Sequence, residues 1–359
     1  MFSSQTLGII GGGQLGKMIA NKAHQFGLKT VILTDQENSP ASFVSNNILV
    51  GDYQNQEILQ QFCSQIDFAT FEFENIPLAS AQYVAKHKPL FPKPEVLAIT
   101  QHRLLEKNFL NQIKVATTKY LAVNTYQDLE TSYLQLGKSI LKTTTMGYDG
   151  KGQFVLDSMA SCQQAWQELS AYLGQNSLKD QLILEQFCNF SCELSVVVAR
   201  SQKQIVAYDP LKNIHRHGIL WQSHYPSLLT NNLISQAKEI AIHIAQSLDL
   251  IGVLAVEFFL VDNQLLVNEL APRPHNSGHF SMDACITCQF EQLIRAGLNI
   301  NLGSTKFHST GYMQNLLGKQ ITDVEQFLQN DKAKIHIYGK EKIAEGRKMG
   351  HINILNSHE

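Results

Sequence analysis

Leu7 to Ile10 reads as a short buried strand and Leu15 to Phe26 as a helix, and the chain passes between them through Gly11-Gly-Gly13-Gln-Leu-Gly16. Lys29 to Leu33 and Asp67 to Phe71 read as further strands. Strands that alternate with helices build βαβ units on a parallel sheet. The first hundred residues are therefore expected to form a Rossmann-like layer. The glycines permit a tight turn and close approach of an anion to a helix N-terminus. Asp35 lies nineteen residues after Gly16, as a dinucleotide fingerprint would have it, yet the motif alone is weak. A nicotinamide enzyme, a cradle for another phosphate and a purely structural turn all remain open.

The segment from His87 to Pro94 carries three prolines and cannot be helical, so a boundary belongs near it. Domains are expected at 1–96, 97–299 and 300–359. A helix is predicted over 101–112 and another from Leu233 to Leu248. Strands are predicted at Ser139–Lys142, Gln181–Glu185, Leu194–Arg200 and Gln204–Tyr208. Val253–Phe259 and Gln264–Leu270 are expected to form a hairpin turning at Asp262-Asn263. The last module is expected to be rich in strand, near 309–314, 334–337 and 351–355.

Three constellations carry chemistry. The first is Lys142-Thr-Thr-Thr-Met-Gly147-Tyr148-Asp149-Gly150-Lys151-Gly152-Gln153. Its glycines, backbone amides and lysines suit covering a polyphosphate, although it is not a Walker A sequence. The second is a carboxylate pair, Glu257 in Val-Leu-Ala-Val-Glu-Phe-Phe and Glu269 in Leu-Leu-Val-Asn268-Glu-Leu. A carboxylate within an apolar strand is costly unless paired or metal-bound. Two side by side repel, and a divalent cation removes that repulsion, so Mg²⁺ is expected there, with Mn²⁺ as an alternative. The third is Arg273-Pro-His275-Asn276-Ser277-Gly-His279, directly after the pair. Arg recognises planar carboxylates or bicarbonate and His exchanges protons near neutral pH. Two further groups fit a nucleotide: Glu185-Gln186-Phe187-Cys188, whose backbone can read an adenine edge, and Glu193, placed for ribose hydroxyls. Lys340, Arg347 and Lys348 form a basic cluster suited to a substrate phosphate, or simply a solvated face.

Composition narrows the class. With 29 basic and 31 acidic residues the chain has no broad basic field, so nucleic acid is not expected as a partner. Of the six cysteines, Cys285 and Cys288 form a lone C-x-x-C without the second pair that a structural zinc site needs. No apolar run reaches membrane-spanning length, and MFSSQTLGII lacks the layout of a signal peptide. A cytoplasmic protein is expected.

The order of these elements resembles the ATP-grasp ligases, and among them the N5-carboxyaminoimidazole ribonucleotide synthetase family of purine synthesis. The resemblance rests on GGGQLGKM (11–18), FEFENIP (71–77), GYDGKGQ (147–153), NELAPRPHNSGH (268–279) and GRKMGHI (346–352). It implies a mixed α/β ATP-grasp fold with a lid lobe over about 115–186, and a homodimer. It implies that Arg103, Lys142, residues 147–153, Glu185 to Cys188, Glu193, His215, Asn268 and Glu269 surround ATP, and that Glu257 and Glu269 hold the metal. Gln14, Leu15, Glu72, Asn75, Asn276, Ser277, Lys340, Arg347 and Lys348 are then expected at the aminoimidazole ribonucleotide, with Tyr148, Asp149, Lys151, Arg273 and His275 taking part in carboxylation by bicarbonate through carboxyphosphate. Three residues depart from the family pattern: Met146, Lys212 and Cys288. Three rivals stand beside this reading: a formate-dependent glycinamide ribonucleotide transformylase; the dehydrogenase suggested by the glycine turn, which leaves Glu257 and Glu269 unexplained; and a non-catalytic nucleotide-binding regulator, which needs neither a metal pair nor a second substrate site.

Overall fold

The structure, a computed structural model, describes residues 4–145, 147, 152–173 and 181–356. Its first layer is a parallel sheet in the order β3-β2-β1-β4, formed by β1 (Thr6–Ile10), β2 (Lys29–Thr34), β3 (Asn47–Val50) and β4 (Phe68–Phe71). Helix α1 (Gln14–Gln25) follows the glycine turn and buries Leu15, Met18, Ile19 and Ala23, the i, i+3, i+4, i+8 stripe of an amphipathic helix. Helices α2 (Gln56–Gln65) and α3 (Leu78–His87) complete this layer. The proline-rich stretch is non-helical up to Lys93, and Pro94 then opens α4 (Pro94–Thr100) as its first residue, where its missing N–H costs nothing. The helix expected over 101–112 begins two residues later, as α5 (Arg103–Gln112).

A second, antiparallel sheet has the order β5-β8-β6-β7. It contains β5 (Tyr120–Val123), β6 (Ser139–Thr143), β7 (Gln153–Leu156) and β8 (Leu182–Gln186), with α6 (Tyr126–Leu136) and α7 (Met159–Leu173). Thr125 and Asp128 close a reciprocal capping box at the start of α6. Leu129, Leu141, Leu156, Cys162 and Leu184 form a core of its own for this lobe.

The third sheet runs β14-β13-β9-β11-β12-β15-β17-β16, with β10 paired to β9. Its strands are β9 (Cys192–Arg200), β10 (Ile205–Ala207), β11 (Leu211–Arg216), β12 (Ile219–Tyr225), β13 (Gly252–Val261), β14 (Gln264–Ala271), β15 (Thr310–Leu317), β16 (Ala333–Ile337) and β17 (Lys348–Asn356). Asp262 and Asn263 turn the β13–β14 hairpin with φ of +47° and +62°, the geometry of a type I′ turn. The strands after residue 300 extend this sheet through the pairing of β12 with β15. The β11–β12 hairpin was not foreseen: LKNIHR and ILWQSHY are too polar and irregular to read as strands.

Alternation along β9 and β13 separates two faces. Val196, Val198, Leu254 and Val256 pack against α8 (Asn231–Ser247) through Ala237, Ala241 and Ile244. Val197, Ala199, Val253 and Ala255 face the other way, toward α10 (Gln289–Gly297) and the first layer, in one core with Ile9, Met18 and Phe290. Short helices α9 (Ser281–Ala284) and α11 (Glu325–Leu328) complete the chain. No helix among the described residues is long and apolar enough to cross a membrane.

Candidate active site

Glu257 continues the Val253–Ala255 face of β13, so it points toward the first layer. Glu269 is its direct partner on β14, with a bulge immediately after Glu257. Burial and repulsion from Glu269 push the Glu257 carboxyl up to about 7. Two carboxylates opposed in this way fit a divalent cation, which would relieve the repulsion. Mg²⁺ takes one or two carboxylates and completes its shell with phosphate oxygens and water, so a pair such as this suits it.

Both carboxylates line a cleft of about 620 Å³ between the layers. From the first layer come Gln14, Leu15, Glu72 and Asn75; α5 contributes Arg103; from the two other sheets come Lys142, Gln153, Glu193, His215 and Asn268; Arg273, His275, Asn276 and Lys348 close it. Arg103 donates from Nη1 to Glu269 Oε2 at 3.3 Å and from Nη2 to the Gly147 carbonyl at 3.1 Å. His215 Nδ1 sits 2.6 Å from Glu193 Oε2. Burial alone would lower the His215 pKa, but Glu193 more than offsets this and raises it.

Other expected residues stand behind or beside the walls. Glu185 is buried, with Lys142 Nζ at 3.1 Å and Lys107 Nζ at 3.6 Å from Oε2. Burial would raise its carboxyl, but the two lysines hold it well below the usual carboxylate range. Gln186, Phe187, Cys188, Ser277, Lys340 and Arg347 are not among the lining residues. Ser277 is buried under His275, and Arg347 Nη1 donates to the Lys342 carbonyl at 2.8 Å. The Gly152 carbonyl accepts from the Thr143 amide at 2.9 Å. Tyr148, Asp149, Gly150 and Lys151, like Met146, lie outside the described residues.

The glycine turn works differently from its face value. The Gly13 and Gly16 amides, the latter at 2.6 Å, donate to the Glu72 carboxylate. A Cβ on Gly11, whose φ is +110°, would collide with the same side chain. The chain's own carboxylate therefore occupies the anion site at the α1 N-terminus, where a dinucleotide would place its pyrophosphate. Burial raises the Glu72 carboxyl, and the two amides oppose that shift.

Sequence reasoning missed several groups. Glu74 grips Arg273 through both carboxylate oxygens, with Nη2 donating to Oε1 at 2.8 Å. Burial would raise Glu74, but Arg273 lowers it. It sits within FEFENIP, and a second acid two residues after Glu72 was the available sign. Phe190 and Phe259 stack at 4.6 Å and 5° in the cleft wall. Lys107 and Glu106 anchor α5 beneath the site, and Leu270 N donates to Glu106 Oε2 at 2.8 Å. Burial and repulsion from Glu269 push Glu106 up to about 8.

A folded-state pKa raised from 4.5 to about 8 favours the fold below pH 4.5, and that contribution is lost as pH rises through 8. Glu106→Gln mimics the protonated form. In metal-free, nucleotide-free protein it is expected to raise Tm relative to the parent at pH 8.5 and leave it nearly unchanged at pH 4, below the unfolded-state value. An equal shift at both pH values would refute the assignment.

Comparison with known proteins agrees with this architecture. Residues 4–101 match the ribonucleotide synthetase preATP-grasp domain, 108–290 the ATP-grasp domain, and 311–359 the phosphoribosylaminoimidazole carboxylase C-terminal domain. The N5-carboxyaminoimidazole ribonucleotide synthase of Bacillus subtilis is 40% identical over 363 residues, covering 100% of this chain and 93% of that one. The chain belongs to the N5-carboxyaminoimidazole ribonucleotide synthase family. As a member of that family it is an enzyme, an ATP-grasp ligase. A bifunctional purine synthesis protein, purC/E, of Dictyostelium discoideum is 40% identical over 97% of this chain, which spans only 36% of that longer protein. Among solved structures, an ADP complex of an N5-carboxyaminoimidazole ribonucleotide synthetase aligns with TM-score 0.93 at 39% identity, covering 99% of this chain and 93% of that one. The family enzyme from Aspergillus clavatus, in complex with ADP and 5-aminoimidazole ribonucleotide, aligns with TM-score 0.91 at 27% identity, covering 99% and 95%.

Proposed function

We propose that this chain uses ATP and bicarbonate to carboxylate the exocyclic amine of 5-aminoimidazole ribonucleotide, in purine biosynthesis. The observation that carries the reading is a single cleft in which the Glu257–Glu269 pair stands beside Arg273 and His275. Family membership supports the choice of substrate, as does the Aspergillus relative with ADP and the ribonucleotide bound.

A bicarbonate oxygen attacks the γ-phosphorus of ATP, the bond to the β-phosphate oxygen breaks, and ADP leaves. The resulting carboxyphosphate, or CO₂ released from it, is attacked by the amine nitrogen; phosphate departs and the amine loses a proton. Lys142, Arg103, the 147–153 segment, Glu185 to Cys188, Glu193, His215 and Asn268 surround the nucleotide in this reading. Glu257 and Glu269 would hold Mg²⁺ (Mn²⁺ is the alternative), which when bound neutralises phosphate charge. Arg273, braced by Glu74, keeps a fixed guanidinium beside the reacting carboxylate. Burial, with Arg273 nearby, holds the His275 pKa well below its ordinary value. It therefore serves as a neutral hydrogen-bonding group. Tyr148 and Lys151 take part in the carboxylation in this reading, and Asp149 takes the amine proton. Gln14, Leu15, Glu72, Asn75, Asn276 and Lys348 line the ribonucleotide region in this reading, with Ser277, Lys340 and Arg347 outside its lining. The enzyme works in the cytoplasm as a homodimer, for which light scattering should give twice the chain mass.

The test is ADP release with Mg²⁺ and bicarbonate, with and without aminoimidazole ribonucleotide. Turnover should depend on the ribonucleotide and yield an acid-labile carbamate. Stimulation by glycinamide ribonucleotide plus formate instead would assign the chain to the sister ligase.

A further inference from the structure

Gln289 is fully buried at the start of α10 and has no part in the site as described so far. Its Oε1 accepts from the His275 amide and its Nε2 donates to the His275 carbonyl, both at 2.8 Å. One side chain thus satisfies both backbone groups of His275, as a neighbouring strand would. The same Nε2 lies 3.1 Å from His279 Nδ1. His279 stacks on His351 at 4.6 Å, and His351 stacks on His336 at 4.4 Å. Asp283 Oδ2 holds His336 Nε2 at 2.7 Å, and Asn353 Nδ2 donates to the same oxygen at 2.7 Å and to the His279 carbonyl at 3.1 Å. The clamp is therefore braced from α9 and the C-terminal strands.

The surroundings are cut to fit this side chain. A Cβ on Gly278 would fall 2.5 Å from Gln289 Oε1 and 2.8 Å from Cδ, so only glycine leaves room for it. Ser281 Oγ donates to the Gly278 carbonyl at 2.6 Å and accepts from the Gln289 amide at 3.1 Å.

We infer that Gln289 is a positioning residue for His275. With its backbone clamped, the imidazole caps the turn that follows: Nδ1 accepts from the Ser277 amide at 3.3 Å and lies 2.8 Å from Ser277 Oγ. That leaves the ring proton on Nε2, aimed at Glu257 Oε1 at 3.3 Å. Gln289 thus selects both the direction and the tautomer of the histidine in the carboxylating half of the cleft. This rests on the function proposed above.

Gln289→Glu keeps the size but turns an acceptor toward the His275 carbonyl, and Gln289→Met removes both bonds. In each, kcat with aminoimidazole ribonucleotide is expected to fall at least tenfold, ADP formed per carbamate to rise above one, and the KM for ATP to change less than twofold. Gly278→Ala, which crowds the carboxamide without deleting it, should reproduce that selective pattern and serves as the test if the Gln289 variants do not fold. Parallel losses toward both substrates with coupling intact, or full activity, would overturn the assignment. Ring-¹⁵N spectra of histidine-labelled protein, with His275→Asn to identify the resonance, need no turnover. The parent should show the Nε2–H tautomer and the variants a mixture. An unchanged tautomer in the variants overturns the positioning role, whatever the substrate proves to be.

Discussion

Glu269→Gln is expected to reduce ADP release about a thousandfold, a loss of about 4 kcal/mol of transition-state stabilisation, while the protein stays folded. Glutamine has the same shape and can still accept the Arg103 hydrogen bond. It cannot supply the second negative charge that, with Glu257, suits the pair to a divalent cation. In the metal-free protein the substitution removes repulsion at a partly buried strand pair, since Glu269 is one of the two groups that push Glu257 up to about 7. Tm without metal should therefore stay level or rise, and Mg²⁺-ATP, which binds only the folded state, should no longer raise it. Full activity would remove the metal assignment, and a collapsed fold would show that the pair is structural.

Lys107→Met is expected to destabilise the protein by about 3–5 kcal/mol, the usual result of removing one partner from a buried ion pair. Lys107 is almost completely buried. Its Nζ donates to Thr117 Oγ1 at 2.7 Å, Thr118 Oγ1 at 3.2 Å and the Asn268 carbonyl at 3.0 Å. It thereby ties α5 and the entry to the second lobe to β14, and it is one of the two cations facing Glu185. Methionine fills the volume but leaves these oxygens without their donor. Adding Glu185→Gln should recover part of the loss, because it removes the carboxylate that has lost a counterion. Denaturant unfolding measures both, and a change below about 0.5 kcal/mol, the scale of an ordinary surface substitution, would sink the prediction.

Legibility in the sequence followed burial pattern. Val253 to Phe259 and Leu194 to Arg200 were readable as strands because both of their faces are covered, which leaves an unbroken apolar run. The same run made Glu257 conspicuous. The β11–β12 hairpin was not readable, because it lines a polar cleft and carries Asn213, His215 and Gln222 where an apolar alternation was sought. Lys107 carries no local sign of burial in the sequence. Only the packing of α5 against β14 shows that its ammonium lies inside.

The sequence by itself determined the kinds of chemistry present: paired acids in apolar strands, a glycine-lysine loop and an Arg-His turn, each chemically conspicuous within a few residues. It also placed them in a family order. Which groups face one another was decided by the tertiary structure. The glycines of the α1 turn left a nicotinamide site, another phosphate cradle and a structural turn open, and it is Glu72, some sixty residues away, that fills it. Arg273 was read as recognising a carboxylate or bicarbonate, and its protein partner, Glu74 on the far side of the cleft, emerged only from the fold. Neighbours along the chain announce themselves in the sequence. Partners brought together by the stacking of sheets do not, because the energy that selects them lies in long-range burial and charge pairing rather than in local pattern.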